Sequence, residues 1–449
     1  MDILPLLACL LPTLSATTVR HVSHITVALL TMTGRVTMRG LARWTSPGGS
    51  YRTVQRFFAT TIPWPSVFWL FFRHHLYDPT EVYILAGDEV VITKAGKHTH
   101  GLDRFFAGLY QKPVPGLAFF SLALVGTHAR RAFPLRLDQV IRTPAEQAAR
   151  RAKAAAHAAV GPGDKRRPGR PQGSRNKPKT ATPLSGELQH IQTLLQAQLR
   201  LMGGTLPLIY LTLDGHFGNS PAVQMVRQCG LHLISKLRRD VALYLPYAGP
   251  YAGRGPRRKY GAKLDPASIP PPYLRQTTVE GGVETRIYQV EVLHKEFAAP
   301  LNVVILVKTN LTTQAVARVI LFSSDLSLAY DPLIAYYSLR FQIEFTFRDA
   351  KQYWGLEDFM NVTATGVTNA ANLALFMVNL SSVLLKDRQQ TDPDCSVLDL
   401  KAAYRGHKYV VETLKLLPHP PDGDLIQRIS RQVANLGRIH APDPQPNAA

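Results

Sequence analysis

Cysteine is nearly missing from this chain. Only Cys9, Cys229 and Cys395 occur, far apart and in no pair, which excludes a disulfide framework or a zinc ribbon and fits a reducing compartment. Acidic residues are also short: 31 Asp+Glu against 52 Lys+Arg give a formal charge of +21. An excess of that size asks for a polyanionic partner, nucleic acid or an anionic surface. No run of 18 or more apolar residues is present, so no transmembrane helix and no membrane partner are expected. The start, MDILPLLACLLPTLSATT, has Asp2 where a secretion signal carries basic residues, and Pro5 and Pro12 break its apolar run; secretion is not expected. The 15 histidines are scattered, with KHTHG at 97–101 the one tight pair, and this pair has too few companions for a metal site. No internal repeat is visible.

What remains is a chain of 449 residues with 45% hydrophobic content, enough for two to four domains at about 150 residues each. Residues 1–78 read as helical. Within them TMRGLARWTSPGGSYRTVQRFF (37–58) reads as helix, Gly-containing turn, helix, either a DNA reader or a packing corner. EVYILAGDEVVIT (81–93) reads as a buried strand interrupted at Gly87-Asp88, and 116–128 and 131–141 as two further strands of an antiparallel meander. An Ala-rich helix (145–160) then gives way to a basic Pro/Gly segment, with ten Lys/Arg and one acid between 150 and 179. Its RRPGRPQGSRNK resembles an AT-hook, a slim Arg-Pro track suited to the narrow minor groove through Arg167 and Arg170. The alternative is a basic linker touching phosphates without preference. An amphipathic helix (184–202) follows, then a strand ending in Asp214-Gly215, a helix (220–229) and a strand (231–238). The Pro/Tyr/Arg-rich stretch 240–300 includes GRGPRRKYGAK, whose Arg257, Arg258 and Lys259 are candidate phosphate contacts; strands follow at 285–294, 301–310 and 317–326. One helix is predicted over 328–354, and the remainder from about 362 reads as helical.

The predicted helix holds YSLRFQIEFTFRDAK (337–351). On one continuous helix, Tyr337, Arg340, Glu344 and Lys351 share an arc of roughly 60°, bordered by Arg348, beside an apolar strip of Tyr336, Ile343, Phe347 and Trp354. Two strands meanwhile carry an aspartate beside a glycine, Asp88 and Asp214. Functional groups cluster where strands end in open α/β sheets, so Asp88, Asp214 and Glu344 could converge. Three such carboxylates repel unless a divalent cation neutralises them, and hard oxygen donors favour Mg²⁺ or Mn²⁺. Two ions about 4 Å apart suit phosphodiester chemistry. Arg340, Arg348, Lys351 and Tyr337 would then hold phosphates. Glu89 adjoins Asp88; Asp88 is chosen because the strand pattern breaks at Gly87-Asp88.

Tyr337, Arg340, Glu344 and Lys351 reproduce the Y-x-x-R-x-x-x-E-x-x-x-x-x-x-K signature, and the chain thereby resembles DDE transposases of bacterial insertion sequences of the insertion-sequence-four kind. The resemblance implies an α/β fold with a ribonuclease-H-like catalytic core, a β-rich insertion, and N- and C-terminal helical regions. The implied division is a DNA-end-binding region at 1–78 and a first core part at 79–239 carrying the basic loop 150–180. An insertion at 240–310, a second core part at 311–361 and a helical region at 362–449 complete it. It implies catalytic, metal-binding roles for Asp88, Asp214 and Glu344 with two Mg²⁺ per site, for which Mn²⁺ can substitute. It further implies double-stranded DNA partners (element ends and target), a homodimer in the synaptic complex, and a cytoplasmic, nucleoid-associated setting. A catalytically inactive or domesticated DNA-binding protein is the alternative.

Overall fold

The computed structural model describes residues 3–45, 49–108, 110–159, 183–251, 253, 255–419 and 421–440. The AT-hook-like stretch, with Arg167 and Arg170, lies outside the described residues.

The N-terminal helices are α1 (Leu4–Leu7), α2 (Ala16–Thr31), α3 (Met38–Trp44), α4 (Tyr51–Ala59) and α5 (Trp64–His75). Side-chain oxygens of Ser15, Thr37 and Ser50 accept from backbone amides in the first turns of α2, α3 and α4, satisfying donors that have no partner within the helix. In α4, Val54, Phe57 and Phe58 turn inward while Arg52 and Arg56 stay exposed. The α3–α4 corner therefore packs against the rest of the protein and still presents cations, as both readings of 37–58 require.

Twelve strands follow among the described residues: β1 (Tyr83–Thr93), β2 (Asp103–Ala107), β3 (Lys112–Gly126), β4 (Arg131–Val140), β5 (Tyr210–Thr212), β6 (His232–Leu237), β7 (Leu243–Pro246), β8 (Tyr260–Leu264), β9 (Leu274–Glu280), β10 (Val283–His294), β11 (Leu301–Asn310) and β12 (Val316–Ser323). They form one mixed sheet of a mixed α/β protein. β3 runs antiparallel to β1 on one side and to β2 and β4 on the other. β1, β5 and β6 are mutually parallel. β6 then meets β12 antiparallel, and the sheet continues through β11 and β10 to β9 and the β7–β8 ribbon. The meander at 116–141 is present as expected; β2, β7, β8 and β9 were not expected.

Strand β1 is not interrupted. All eleven residues pair with β3, Gly87 opposite Leu122 and Asp88 opposite Ser121. Gly87 is needed for space rather than for a break: a Cβ there would lie 2.8 Å from both Leu213 Cδ2 and Phe120 Cζ. The sheet's two faces are covered separately. Ile84, Ala86, Val90 and Ile92 join the core cluster built from the N- and C-terminal helices. Tyr83 and Leu85 join the other, with residues of α7 (Gly186–Met202) and α8 (Ser220–Gln228), as period-two alternation dictates. Helix α6 (Pro144–Ala159) precedes the basic segment.

The region read as one helix over 328–354 is two: α9 (Tyr330–Leu339) and α10 (Gln342–Trp354). Arg340 and Phe341 keep right-handed helical angles. Around them, however, amides bond three residues back: Phe341 N–H to Ser338 O (3.2 Å), Ile343 N–H to Arg340 O (3.1 Å) and Glu344 N–H to Phe341 O (3.0 Å). Such 3₁₀ bonding tightens the turn to about three residues. The single-arc argument therefore does not carry across the junction. It holds within α10 for Glu344, Arg348 and Lys351, and Ile343, Phe347 and Trp354 are buried as expected.

Helices α11 (Ala364–Gln389), α12 (Val397–Leu414) and α13 (Gly423–Asn435) complete the fold. By length and composition α11 could cross a membrane, yet 89% of its apolar window is buried within the protein, against α4, α5, α10, α12 and β4. At its N-terminal end Asn369, 1% exposed, accepts from Trp64 Nε1 (2.8 Å) and donates to the carbonyls of Phe57, Phe58 and Thr60. Asn369→Ala would orphan a buried indole N–H and the carbonyls of Phe58 and Thr60, while Phe57 O keeps the Thr60 N–H. The expected loss is about 2–4 kcal/mol, given about 1–3 kcal/mol per unsatisfied buried group with partial relaxation. Chemical denaturation of the variant checks this; an unchanged midpoint would show that the amide does not hold these helices.

Candidate active site

Asp88 and Asp214 come together through the parallel pairing of β1 with β5. Leu85 pairs with Leu211 and Ala86 with Thr212; two residues on, the same register sets Asp214 beside Asp88. Both sit on the face occupied by Ala86 and Thr212. Asp214 follows the end of β5 and caps a 3₁₀ turn, Gly215–Phe217, accepting from His216 N–H at 3.1 Å. Its carbonyl accepts from Ser235 Oγ at 2.7 Å, which ties it to β6. Alternation sends Glu89 to the opposite face, where Glu187 and His216 are its neighbours. Asp88, and not Glu89, therefore shares the face of Asp214, through strand alternation and not through the strand break expected from sequence.

Glu344 enters from above, in the first turn of α10, where the helix dipole favours a carboxylate. Arg340, in the junction before it, donates from Nη1 to Asp88 Oδ2 at 2.8 Å and from Nη2 to Glu344 Oε1 at 3.0 Å. Its side chain is 13% exposed, that of Asp88 19% and that of Glu344 39%. Burial raises the Asp88 pKa to about 6; Asp214 and Glu344 push the same way, and Arg340 opposes them. Burial is also the leading influence on the raised Tyr337 hydroxyl, which shares a hydrogen bond with Arg340. Asp88 thus feels both Asp214 and Glu344, but among the described residues no three His, Cys, Asp or Glu side chains are drawn in tightly enough to hold an ion. Between Asp88 and Glu344 the guanidinium bridges instead.

A cavity of about 600 Å³ opens beside these groups. Asp88, Glu89 and Glu344 line it with Arg348 and Lys351, as do Phe106 and Tyr110. Lys351 Nζ pairs with Glu357 (2.8 Å) and donates to Val91 O (3.3 Å). Arg348 pairs with Asp349 and lies over the Phe345 ring. Arg257, Arg258 and Lys259 are not brought here. They lie in the connection between β7 and β8, and β7 is six strands from β1 along the sheet, on the order of 30 Å at about 4.8 Å per strand. There Arg257 and Arg258 sit over the rings of Tyr251 and Tyr247.

Sequence reasoning missed three residues. Phe106 and Tyr110 are 57% and 50% exposed on the β2–β3 hairpin; the alternation in DRFFA was the signal for Phe106, and nothing comparable marked Tyr110. Lys236 is the third. Thr212 pairs with Ile234, so the parallel register sets Lys236 beside Asp214, and only that register reveals it.

The model of the DDE superfamily endonuclease family matches residues 9–292, well over half of the chain. The chain belongs to this family. The matched span takes in Asp88 and Asp214 and stops before Glu344. No curated protein matches the chain. The family implies a ribonuclease-H-like core and a DNA substrate, and DDE endonucleases generally use divalent metals. The donor set here fits that requirement. It fits by donor chemistry: Asp88, Asp214 and Glu344 offer hard carboxylate oxygens, and the positive charge they demand is supplied here by the Arg340 guanidinium between Asp88 and Glu344.

Proposed function

We propose that this DDE endonuclease is a transposase of the insertion-sequence-four kind, which cleaves at element ends and joins the freed 3′-hydroxyl to target DNA. The observation that carries the reading is the meeting of two strand-borne aspartates with Glu344, the glutamate of the Tyr337–Arg340–Glu344–Lys351 spacing. The strand order supports it: β4, β3 and β1 run antiparallel and β1, β5 and β6 parallel. In this reading β7–β11 form the greater part of an insertion between the second aspartate and the glutamate helix, and the N-terminal helices bind element ends. The working assembly is a homodimer on DNA, acting at the bacterial nucleoid.

Asp88, Asp214 and Glu344 would hold Mg²⁺, or Mn²⁺ in its place. Bound there, the cations supply Lewis-acid stabilisation and a nucleophile at neutral pH. The chain's own residues bind and orient the DNA. Lys351 and Arg348 line the cavity as point charge and fork for phosphate oxygens, and the Tyr337 hydroxyl lies within reach of the same guanidinium network. Phe106 and Tyr110 offer apolar faces in the same cavity. The deciding experiment incubates the protein with duplexes taken from the DNA flanking its gene, with Mg²⁺, and maps new 3′-hydroxyl ends. Cleavage at a repeat boundary is expected. Binding without cleavage would overturn the reading in favour of a non-catalytic DNA-binding protein.

Removal of 161–179 takes away seven Lys/Arg. The expected result is weaker binding and a shallower salt dependence, by about 0.9 in log–log slope for each phosphate the protein no longer neutralises, with cleavage at saturating protein retained. Anisotropy titrations across salt concentrations measure it; loss of single-turnover cleavage at saturation would assign the segment to the site.

A further inference from the structure

We propose that Arg340 is an exchangeable counter-ion, bridging Asp88 and Glu344 until a DNA phosphate takes its guanidinium, so that cation binding at these carboxylates is coupled to DNA binding. The proposal rests on the assignment of these acids as cation ligands. The bridge uses Asp88 Oδ2 and Glu344 Oε1, while Asp88 Oδ1 already accepts from Glu89 N–H at 2.9 Å. A cation drawing on both acids would sit against the guanidinium's charge and share its oxygens, and so competes with it. That charge cannot be lost by deprotonation, so competition ends only when the group moves.

A second observation points to where it goes. Arg340 Nε is buried and has no partner, although an unmet buried donor is costly. Two carboxylates leave that edge of the fork unused, whereas a phosphate, with several acceptor oxygens, can take two N–H groups at once. The cavity beside it carries Lys351 and Arg348 on its wall, which would draw a phosphate to this place. Phosphate binding then removes the competing cation from the acids and supplies it to the substrate.

The test is Mn²⁺ titration of the full chain followed by electron paramagnetic resonance, with and without a duplex from the DNA flanking the gene, subtracting Mn²⁺ held by DNA alone. Wild-type affinity should rise at least about tenfold with the duplex, within the ordinary range of coupling between sites. Arg340→Gln should bind Mn²⁺ tightly without DNA and gain little from it. Because removing a charge raises cation affinity by itself, Arg340→Lys provides the second variant. It keeps the charge but has no fork to span both oxygens, and should also bind Mn²⁺ more tightly than wild type in the absence of DNA. Equal wild-type affinity with and without DNA, or an undiminished DNA effect in Arg340→Gln, overturns the proposal. The underlying ligand assignment fails separately, if Asp214→Ala and Glu344→Ala both bind Mn²⁺ as wild type does.

Discussion

Glu344→Ala and Asp214→Ala are each expected to lower DNA cleavage by about 10³-fold or more while DNA binding stays within a few-fold of wild type. Loss of one group aimed at developing charge commonly costs about 10²–10³ in rate, and loss of a metal ligand removes more than a single hydrogen bond. Both side chains suit the test. Glu344 is partly exposed in the first turn of α10, so its truncation leaves the core packing of Ile343 and Phe347 in place. Asp214 keeps its backbone anchor to Ser235 when its side chain is removed. Asp88→Ala is a poorer choice, because it strips the main partner from the buried Arg340 guanidinium, and unpairing a buried charge costs about 3–5 kcal/mol. Cleavage of end-labelled duplex and anisotropy on the same samples give the two readouts. Unchanged cleavage by Glu344→Ala would remove this residue, and the signature it belongs to, from the chemistry.

The second large effect is structural and lies at the other end of the same helix. Gly355 terminates α10 in the left-handed region, φ +75°, and a Cβ there would sit 2.2 Å from Val36 Cβ. Gly355→Val should destabilise the protein by about 2–5 kcal/mol, combining about 1–2 kcal/mol of backbone strain with about 1–3 kcal/mol of overpacking. Val36 is held from the other side, its N–H donating to Asp358 Oδ2 at 3.1 Å. The substitution therefore acts where the N-terminal helices meet the helix carrying Glu344. Denaturant midpoints measure the loss; a midpoint shared with wild type would show that Val36 yields. Gly355→Ala with Val36→Gly, which removes the Val36 Cβ itself, should clear the contact but leave the backbone strain.

The parts of the fold and of the candidate site that the sequence offered rest on local cues. The spacing from Glu344 to Lys351 is a within-helix pattern, and the strands at 83–93, 301–310 and 316–323 are apolar runs that few other structures could bury. Helix α7 announced itself by amphipathic period; in the structure Ser185 caps its start and Gly203, in the left-handed region, ends it. The short strands β7, β8 and β9 were hidden for the opposite reason: they are set in a Pro-, Tyr- and Arg-rich stretch, and pairing with β10 and with each other defines them. Propensity in such segments is overridden by tertiary partners.

The amino-acid order alone determined the excess of positive charge, the carboxylates available for chemistry and the spacing that relates Tyr337, Arg340, Glu344 and Lys351, because composition and short-range periodicity are properties of the chain itself. Only the folded chain decided which acid of the Asp88–Glu89 pair shares a face with Glu344, since alternation along a strand gives two faces and packing of the helices chooses between them. The fold also broke the expected helix at Arg340 and turned that residue toward two carboxylates. Such an arrangement depends on groups more than 250 residues apart in sequence, whose approach no local pattern encodes.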